Sequence, residues 1–245
     1  MNANAWFQVF RADLRRVLRD RFLLLIVTYL PFMAYAVFRA GLPKLSVYLK
    51  SRFDLTQYYP PIYMTLIVIL PYMFGYVLGL QLLEDKDENS LSAVAVTPFS
   101  IERYFFFRAA TYGTIGALIM VVTHQIIGVI TTVSLWQLLL VALVLIPNAA
   151  LSALLLSILA KNQVEGFAVM KGSGMLFVGP ALSFFVPQHW DLLFGIVPFY
   201  WPIKAYYVAY AQGPAWLFFV CLVVGLVYQI GVIALMYKRF KRVVF

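Results

Sequence analysis

The sequence predicts an all-α membrane protein with six transmembrane helices, an N-terminal amphipathic interfacial helix and a re-entrant aromatic segment before the last helix. Hydrophobic residues make up 63% of the 245-residue chain and charged residues only 12%, whereas soluble domains are roughly 45–50% apolar and about 25% charged. A soluble fold could not bury this excess, so much of it must face lipid. Because no hydrophilic stretch is long enough to fold separately, we expect one membrane domain over residues 1–245.

The first predicted element is an amphipathic helix at residues 4–20. Apolar side chains recur at helical spacing and arginines occupy another side: Trp6, Phe10, Leu14 and Val17 against Arg11, Arg15 and Arg19. Such a helix lies in the membrane interface. It serves either as an anchor or as a connecting helix that also contacts a cytoplasmic partner. Because no small-residue cleavage site follows the first apolar run, we expect no cleavable signal peptide.

Six apolar runs follow, and each approaches the length of about 20 residues that crosses the hydrocarbon core. They lie near residues 22–40, 61–83, 108–130, 136–159, 166–186 and 215–237. With the N-terminus inside, the inner segments hold 14 Lys and Arg residues and the outer segments hold 5. This bias predicts a multi-pass protein with both termini in the cytoplasm. Topology and anionic lipid headgroups explain the net charge of +9, so we expect no nucleic-acid partner.

The segment 187–214 is too long for a turn and too apolar for a solvated loop. It contains four prolines among many Trp, Tyr and Phe residues. Proline interrupts a spanning helix, and aromatic side chains prefer the membrane interface. These features predict short helices that enter the outer leaflet and return, with an ordinary aromatic belt as the alternative.

The most charged short stretch, 84–88, directly follows the second predicted span. Leu91, Val94 and Ala95 then fall at i, i+3 and i+4, which predicts a short helix with one apolar stripe. Pro98 ends this helix, because the residue before a proline is disfavoured in helical geometry. The stretch is either a docking element for another protein or a solvated acidic loop.

Two neighbouring stretches resemble the loop after the second span of ABC-2 type transporter permeases. They run from Leu83 to Leu91 and from Val96 to Ser100. Members of that family show an acidic run, small polar residues, an apolar stripe and then Thr-Pro or Ser-Pro. Asn89 departs from the pattern, because the family often has glycine there. The six-span layout, the amphipathic first helix and the aromatic segment are similar to the family over the whole chain. The specific resemblance covers residues 83–104.

The resemblance implies that residues 84–103 form a cytoplasmic coupling loop, which sits in a groove of a separate ABC ATPase subunit. The implied coupling residues are Glu84, Asp87 and Glu88 for polar contacts, Leu91, Val94 and Val96 for the groove, and Thr97 and Pro98 for the exit angle. ATP and magnesium are expected on that partner. The loop and the small size also look like permeases for fluoroquinolone-type drugs or amphipathic peptide toxins.

The chain carries no recognisable catalytic motif. It lacks Gly-x-x-x-x-Gly-Lys-Ser/Thr, His-Glu-x-x-His, Gly-x-Ser-x-Gly and Cys-x-x-Cys. We therefore expect a transport subunit, not an enzyme, with no cofactor and no metal bound by this chain. One rival is an ATP-independent secondary transporter or channel, which should show an inverted repeat or ionisable groups at mid-membrane. Another is a membrane-embedded lipid-modifying enzyme with clustered carboxylates or histidines.

Aromatic side chains and one histidine within the predicted spans are candidates for a cargo path. They are Tyr72, Phe74, Tyr76, His124, Phe177 and Phe184. A path lined by such side chains would favour a hydrophobic or amphipathic cargo. The alternative is that these residues only pack the helices together. For Asn148 and Gln229 we expect hydrogen bonds between helices. Gly75 and Gly79 permit close approach of a neighbouring helix or of a second copy.

These observations and the resemblance together predict the membrane subunit of an ABC exporter in a bacterial plasma membrane. Two permease halves are needed, and we favour a homodimer over a heterodimer. The expected partners are the lipid bilayer, an ABC ATPase and the second permease copy.

Overall fold

The computed structural model describes residues 21–50, 53–87, 101–187 and 190–244, together with positions 11, 15 and 19. Within these ranges every regular element is helical and no β-strand is present. The helices are α1 (Arg21–Ala36), α2 (Leu42–Leu49), α3 (Tyr59–Asp87), α4 (Ile101–Ile127), α5 (Leu135–Leu145), α6 (Asn148–Leu159), α7 (Gln163–Ser173), α8 (Val178–Leu182), α9 (Tyr200–Tyr210) and α10 (Ala215–Val244). The other helical elements of the described residues are a π-turn at Val37–Gly41 and four 3₁₀ turns. The 3₁₀ turns lie at Thr56–Tyr58, Gly174–Phe177, Ser183–Phe185 and Asp191–Ile196.

Five helical stretches among the described residues are long and apolar enough to cross a membrane. They are Thr56–Asp87, Glu102–Ile127, Leu135–Leu159, Gln163–Phe185 and Ala215–Lys241. These match the second to sixth predicted spans, so the prediction of an all-α protein with several membrane-spanning helices is confirmed. The largest boundary shifts are at α4, which begins at Ile101 and not near residue 108, and at α10, which ends at Val244 and not near residue 237.

The predicted first span, 22–40, is not among the five. Its described α-helix, α1, contains Pro31, which removes one backbone hydrogen bond from the helix interior. The π-turn Val37–Gly41 interrupts the regular helix before α2 begins. The count of six spans therefore stays a prediction. Arg11, Arg15 and Arg19 are helical and exposed, while the rest of the predicted helix 4–20 lies outside the described residues.

Helix α3 is the centre of the bundle. Its side chains are buried on all sides from Tyr63 to Leu83 with few exceptions, because α4 and α6 pack along its length and α1, α7 and α9 cover what remains. Asp54 precedes this helix and accepts hydrogen bonds from the Thr56 hydroxyl at 2.5 Å and the Thr56 amide at 3.0 Å. Both hydrogen bonds lower the pKa of the Asp54 carboxyl.

Small residues allow α3 and α6 to approach closely. A Cβ atom on Gly75 would lie 2.6 Å from the Cα of Ala149, and one on Gly79 would lie 3.1 Å from the Cα of Ala153. Real Cβ atoms essentially never come as close as 2.6 Å, so Gly75 is required unless the helices separate, whereas at Gly79 the neighbouring atoms would have to give way by a few tenths of an ångström. The predicted close approach is confirmed, and the neighbour is α6 of the same chain.

The predicted re-entrant segment 187–214 contains two short helical pieces in its described part, Asp191–Ile196 and α9. Tyr200 and Tyr206 of α9 are fully buried, and α9 packs against α10 and α5. Pro198 lies just before α9 and Pro202 lies in its first turn. At these positions the missing amide hydrogen of proline costs no helical hydrogen bond. The entry of this segment into the outer leaflet stays a prediction.

Candidate functional site

The coupling loop falls largely outside the described residues. Glu88, Leu91, Val94, Val96, Thr97 and Pro98 all belong to that part. Glu84 is half-buried and Asp87 is exposed in the last turn of α3. The structure therefore places the two helix ends that carry the loop, namely Asp87 and Ile101.

A buried ion pair connects these two helices close to the loop. The Arg108 side chain is completely buried, and its Nη1 donates to Oδ2 of Asp85 at 3.1 Å. Its Nη2 donates to Oε1 of Gln81 at 2.7 Å, and the Tyr112 hydroxyl donates to the same oxygen at 2.6 Å. The guanidinium also lies over the Tyr104 ring, 5.3 Å from its centroid. A charge this deep is stable only when it is paired and hydrogen-bonded.

Sequence reasoning missed this pair, because it treated Arg108 as one of the cytoplasmic charges and Asp85 as part of the acidic run. The signal was nevertheless present. Gln81 and Asp85 are four residues apart, as are Arg108 and Tyr112, so each pair shares one helix face. Arg108 also stands between Phe107 and Ala109, in a stretch with few other polar residues.

His124 connects three helices. Its Nδ1 lies 2.9 Å from the Tyr63 hydroxyl and 2.8 Å from the Tyr206 hydroxyl. The Tyr63 hydroxyl can also donate to the carbonyl oxygen of His124, at 3.4 Å. These contacts tie α4 to α3 and α9, so the imidazole makes the interhelical hydrogen bonds that a packing role requires. A contact between His124 and cargo stays a prediction.

Three of the predicted cargo residues form one aromatic cluster. The ring centroid of Tyr72 lies 4.7 Å from that of Tyr76 and 4.7 Å from that of Phe177. The ring of Phe177 stacks on the ring of Phe199, with 4.1 Å between their centroids. Phe74 is also buried but belongs to a different part of the core. Two residues along a helix correspond to about 200° of rotation, so Phe74 cannot share a wall with Tyr72.

Phe184 lies elsewhere, at the end of the bundle where α3 begins. It lines two adjacent cavities together with Tyr207. The larger cavity has a volume of about 480 Å³ and is also lined by Tyr58 and Phe185. The smaller has a volume of about 80 Å³. We call these two neighbouring cavities, which share Phe184 and Tyr207 as lining residues, the vestibule.

A second buried ion pair borders the smaller cavity of the vestibule. Nζ of Lys204 contacts Oδ2 of Asp191, and the two side chains are 20% and 6% exposed. The other carboxylate oxygen of Asp191 has no hydrogen-bond partner among the described residues. Sequence analysis used Lys204 only in the charge count and did not consider Asp191.

Two expected hydrogen bonds are not formed. The side-chain amides of Asn148 and Gln229 are fully buried, and none of their atoms has a partner within the described part of the chain. The prediction of interhelical bonds at these two residues is therefore wrong there, because burial in α6 and α10 does not align a donor with an acceptor. In the same part of the chain, no three His, Cys, Asp or Glu side chains are close enough together to hold a metal ion.

Comparison with known proteins gives a consistent result. The family model described as "Fluoroquinolones export permease protein Rv2686c-like" matches residues 13–237. Two relatives from Mycobacterium tuberculosis are each 30% identical over 239 residues, covering 94% of this chain and 92% of the relative. They are named fluoroquinolones export permease protein Rv2686c (strain H37Rv) and MT2760 (strain CDC 1551). The predicted resemblance to small drug-type permeases is confirmed, and the chain belongs to the Rv2686c-like family of fluoroquinolones export permease proteins.

Proposed function

We propose that this chain is the transmembrane permease subunit of an ATP-driven ABC exporter, which moves a hydrophobic or amphipathic drug-like molecule out of a bacterial cell. The observation that carries the proposal is the similarity to export permeases over 94% of the chain. Helices long and apolar enough to span a membrane support it. In this arrangement six spans, both termini in the cytoplasm and the re-entrant segment 187–214 form one half of the exporter.

The energy for transport comes from a partner. The sequence contains no phosphate-binding loop, so an ATP-driven permease needs a separate ATPase that binds ATP and magnesium. One chain supplies one half of the path, and a second identical copy supplies the other. The coupling loop, with Glu84, Asp87 and Glu88 at its acidic start, docks on the ATPase.

The Asp85–Arg108 pair suits this coupling. Asp85 lies two residues from the end of α3, and Arg108 lies in the second turn of α4. Because the pair and the bond to Gln81 hold the two helices together, a force on the loop moves both helices as one unit.

Co-purification and vesicle transport test the proposal. The tagged chain is expressed with its natural gene neighbours and purified in mild detergent. We expect a soluble protein with a phosphate-binding loop in equal amounts. Inverted membrane vesicles that contain both proteins should then accumulate norfloxacin, a fluoroquinolone, only when ATP is present. Uptake that continues without ATP and without such a partner would instead support the secondary transporter or channel.

The apolar stripe of the coupling loop gives a sharper test. Replacing Leu91 and Val94 together with aspartate should lower ATP-dependent transport roughly tenfold or more, because two charges would enter an apolar groove. The matched control replaces Asn89 and Ala93 with aspartate, which adds the same charges on the side of the predicted helix opposite to the stripe. Equal transport by both double variants would contradict the docking role. The amount of purified permease shows whether the bundle still folds.

A further inference from the structure

A groove on the outside of the bundle lies between α4, α10 and the junction of α5 and α6. It has a volume of about 350 Å³, and its lining residues, among them Phe106, Ile146 and Ile230, all have apolar side chains. Ala110 and Ala234 belong to the lining and are themselves exposed, so the groove is open along its side. Side chains of this kind offer no hydrogen-bond partner, and the groove therefore suits a hydrocarbon chain.

Basic residues stand at one end of the groove, on the same helices. Arg103 is three residues before Phe106 on α4 and so lies on the same helix face. Lys238 and Lys241 follow Ala234 by four and seven residues on α10, which again places them on one face. We call Arg103, Lys238 and Lys241 the basic cluster. At 1.5 Å per residue the groove extends from roughly 5 Å to roughly 16 Å away from this cluster. One leaflet of a hydrocarbon core is roughly 15 Å deep, so the groove covers the depth of its acyl chains.

Positive charge prevails in the basic cluster. Its three side chains are all exposed. Glu102 is the acidic side chain that the structure places beside them, with its Oε2 atom 2.9 Å from Nζ of Lys241. One carboxylate balances one of the three positive charges, and an ammonium group has two further donors after its bond to Glu102. The excess positive charge attracts the phosphate of an anionic lipid headgroup.

Tyr237 connects the basic cluster to the groove. Its ring centroid lies 5.1 Å from that of Phe106, which lines the groove, and 4.8 Å from Nζ of Lys241. Tyrosine and tryptophan side chains prefer the level at which lipid headgroups meet hydrocarbon. A phosphate beside Lys241 is therefore separated from the start of the apolar groove by one aromatic ring, as the headgroup of a phospholipid is followed by its acyl chains.

We propose that the basic cluster and the groove together bind one anionic phospholipid molecule. The phosphate accepts hydrogen bonds from Lys238 and Lys241, and one acyl chain fills the groove and contacts α4, α6 and α10 at once. The lipid belongs to the leaflet at the end of the bundle that carries the coupling loop. This site goes beyond the proposed export function, because it requires neither cargo nor ATP.

Other occupants fit the charges or the groove less well. A second copy packed on this face about a two-fold axis along the membrane normal would bring the basic clusters of both copies together, and like charges in contact oppose association. A free phosphate would satisfy the basic cluster and leave the groove empty. A polar drug would find no hydrogen-bond partner among the groove's lining residues.

Native mass spectrometry of the purified full-length chain tests the headgroup contact. The chain is mixed with equal amounts of dioleoyl phosphatidylglycerol and dioleoyl phosphatidylcholine, which have the same acyl chains. We expect one phosphatidylglycerol to be retained with a roughly tenfold preference, because only its headgroup carries a net negative charge. Lys238→Gln with Lys241→Gln should abolish the preference. Equal retention of the two lipids by the unmodified chain would overturn the proposal.

The matched charge control replaces two other exposed lysines. Lys161 lies before α7 and Lys171 lies within it, and Lys161→Gln with Lys171→Gln removes the same amount of charge away from the groove. This double variant should keep the preference for phosphatidylglycerol. An equal loss of preference in both double variants would show that total charge, and not this site, selects the lipid.

Filling the groove tests the acyl-chain contact. Ala234→Trp places a large ring in the open groove, whereas Leu235→Trp is the control, because Leu235 is 69% exposed and does not line the groove. Phosphatidylglycerol with a diazirine on one acyl chain should label peptides of α4 and α10 on illumination. Ala234→Trp should lower this labelling roughly tenfold, and Leu235→Trp should leave it unchanged. Circular dichroism confirms that both variants fold, and undiminished labelling of folded Ala234→Trp would contradict the proposal.

Two further readouts distinguish the lipid from the other occupants. Glycerol phosphate in large excess should not displace the bound lipid, since it cannot fill the groove, and displacement would reduce the site to a phosphate site. The mass spectra also report the oligomeric state. If Ala234→Trp converts a dimer into monomers while phosphatidylglycerol retention stays the same, the groove is an interface between copies of the chain and the lipid site is refuted.

Discussion

Replacing Arg108 with leucine is expected to lower the free energy of unfolding by about 3–5 kcal/mol, because the change removes the guanidinium from a buried carboxylate. Asp85 is 7% exposed, so water cannot replace the lost guanidinium. The Oε1 atom of Gln81 loses its bond to Nη2 at the same time. Unfolding in mixed micelles, followed by circular dichroism, measures the change.

An exposed ion pair at the same end of the bundle is the control. Nζ of Lys241 lies 2.9 Å from Oε2 of Glu102, and the two side chains are 50% and 49% exposed. The nitrogen–oxygen distances in the two ion pairs are nearly equal. Glu102→Gln should nevertheless lower the free energy of unfolding by less than about 1 kcal/mol, because water and salt screen exposed charges. The double variant Asp85→Leu with Arg108→Leu should recover much of the stability. Similar losses for Arg108→Leu and Glu102→Gln would show that burial is not what makes the first pair important.

Replacing Gly75 with alanine is expected to lower the free energy of unfolding by about 1–3 kcal/mol, through overpacking of the α3–α6 contact. The new methyl group would lie 2.6 Å from both the Cα and the carbonyl oxygen of Ala149. Those are backbone atoms, which cannot move away by a change of rotamer. The two helices would have to separate along the most tightly packed part of the bundle. The same micelle unfolding assay measures the loss.

Gly172 offers the matched comparison. It also lies within a helix, but a Cβ atom added there would have no other atom within 4 Å. Alanine has the higher helix propensity by about 1 kcal/mol, so Gly172→Ala should be neutral or slightly stabilising. If Gly75→Ala is tolerated as well as Gly172→Ala, the close approach of α3 and α6 does not limit stability.

The sequence predicted the features that depend on composition and on spacing along one helix. Lipid-facing spans require long apolar runs, and glycines four residues apart indicate close helix approach, so five spans and the Gly75–Gly79 contact could be found. The π-turn Val37–Gly41 carries no such pattern, so the sequence did not predict that it follows α1 within the first predicted span.

The buried charges were harder to find. Counting Lys and Arg for topology assumes that each is solvated, and Arg108 is not. Asp191, the partner of Lys204, lies 13 residues earlier in the sequence, in a 3₁₀ turn before α9. Because the two residues do not share one helix, helical spacing could not predict their contact. Both pairs depend on tertiary packing, which local patterns do not report.

The continuity of α3 has a mechanical consequence. This helix carries Asp85 at one end, and its first turn lines the vestibule at the other. Pro71 lies between them and removes one backbone hydrogen bond, and Gly116 of α4 allows close contact at that residue. A lever pivoted there has arms of roughly 24 Å toward the loop and roughly 18 Å toward the vestibule. A tilt of about 5° would displace the loop end by roughly 2 Å, the vestibule end would swing the opposite way, and α4 would follow because Arg108 ties it to Asp85.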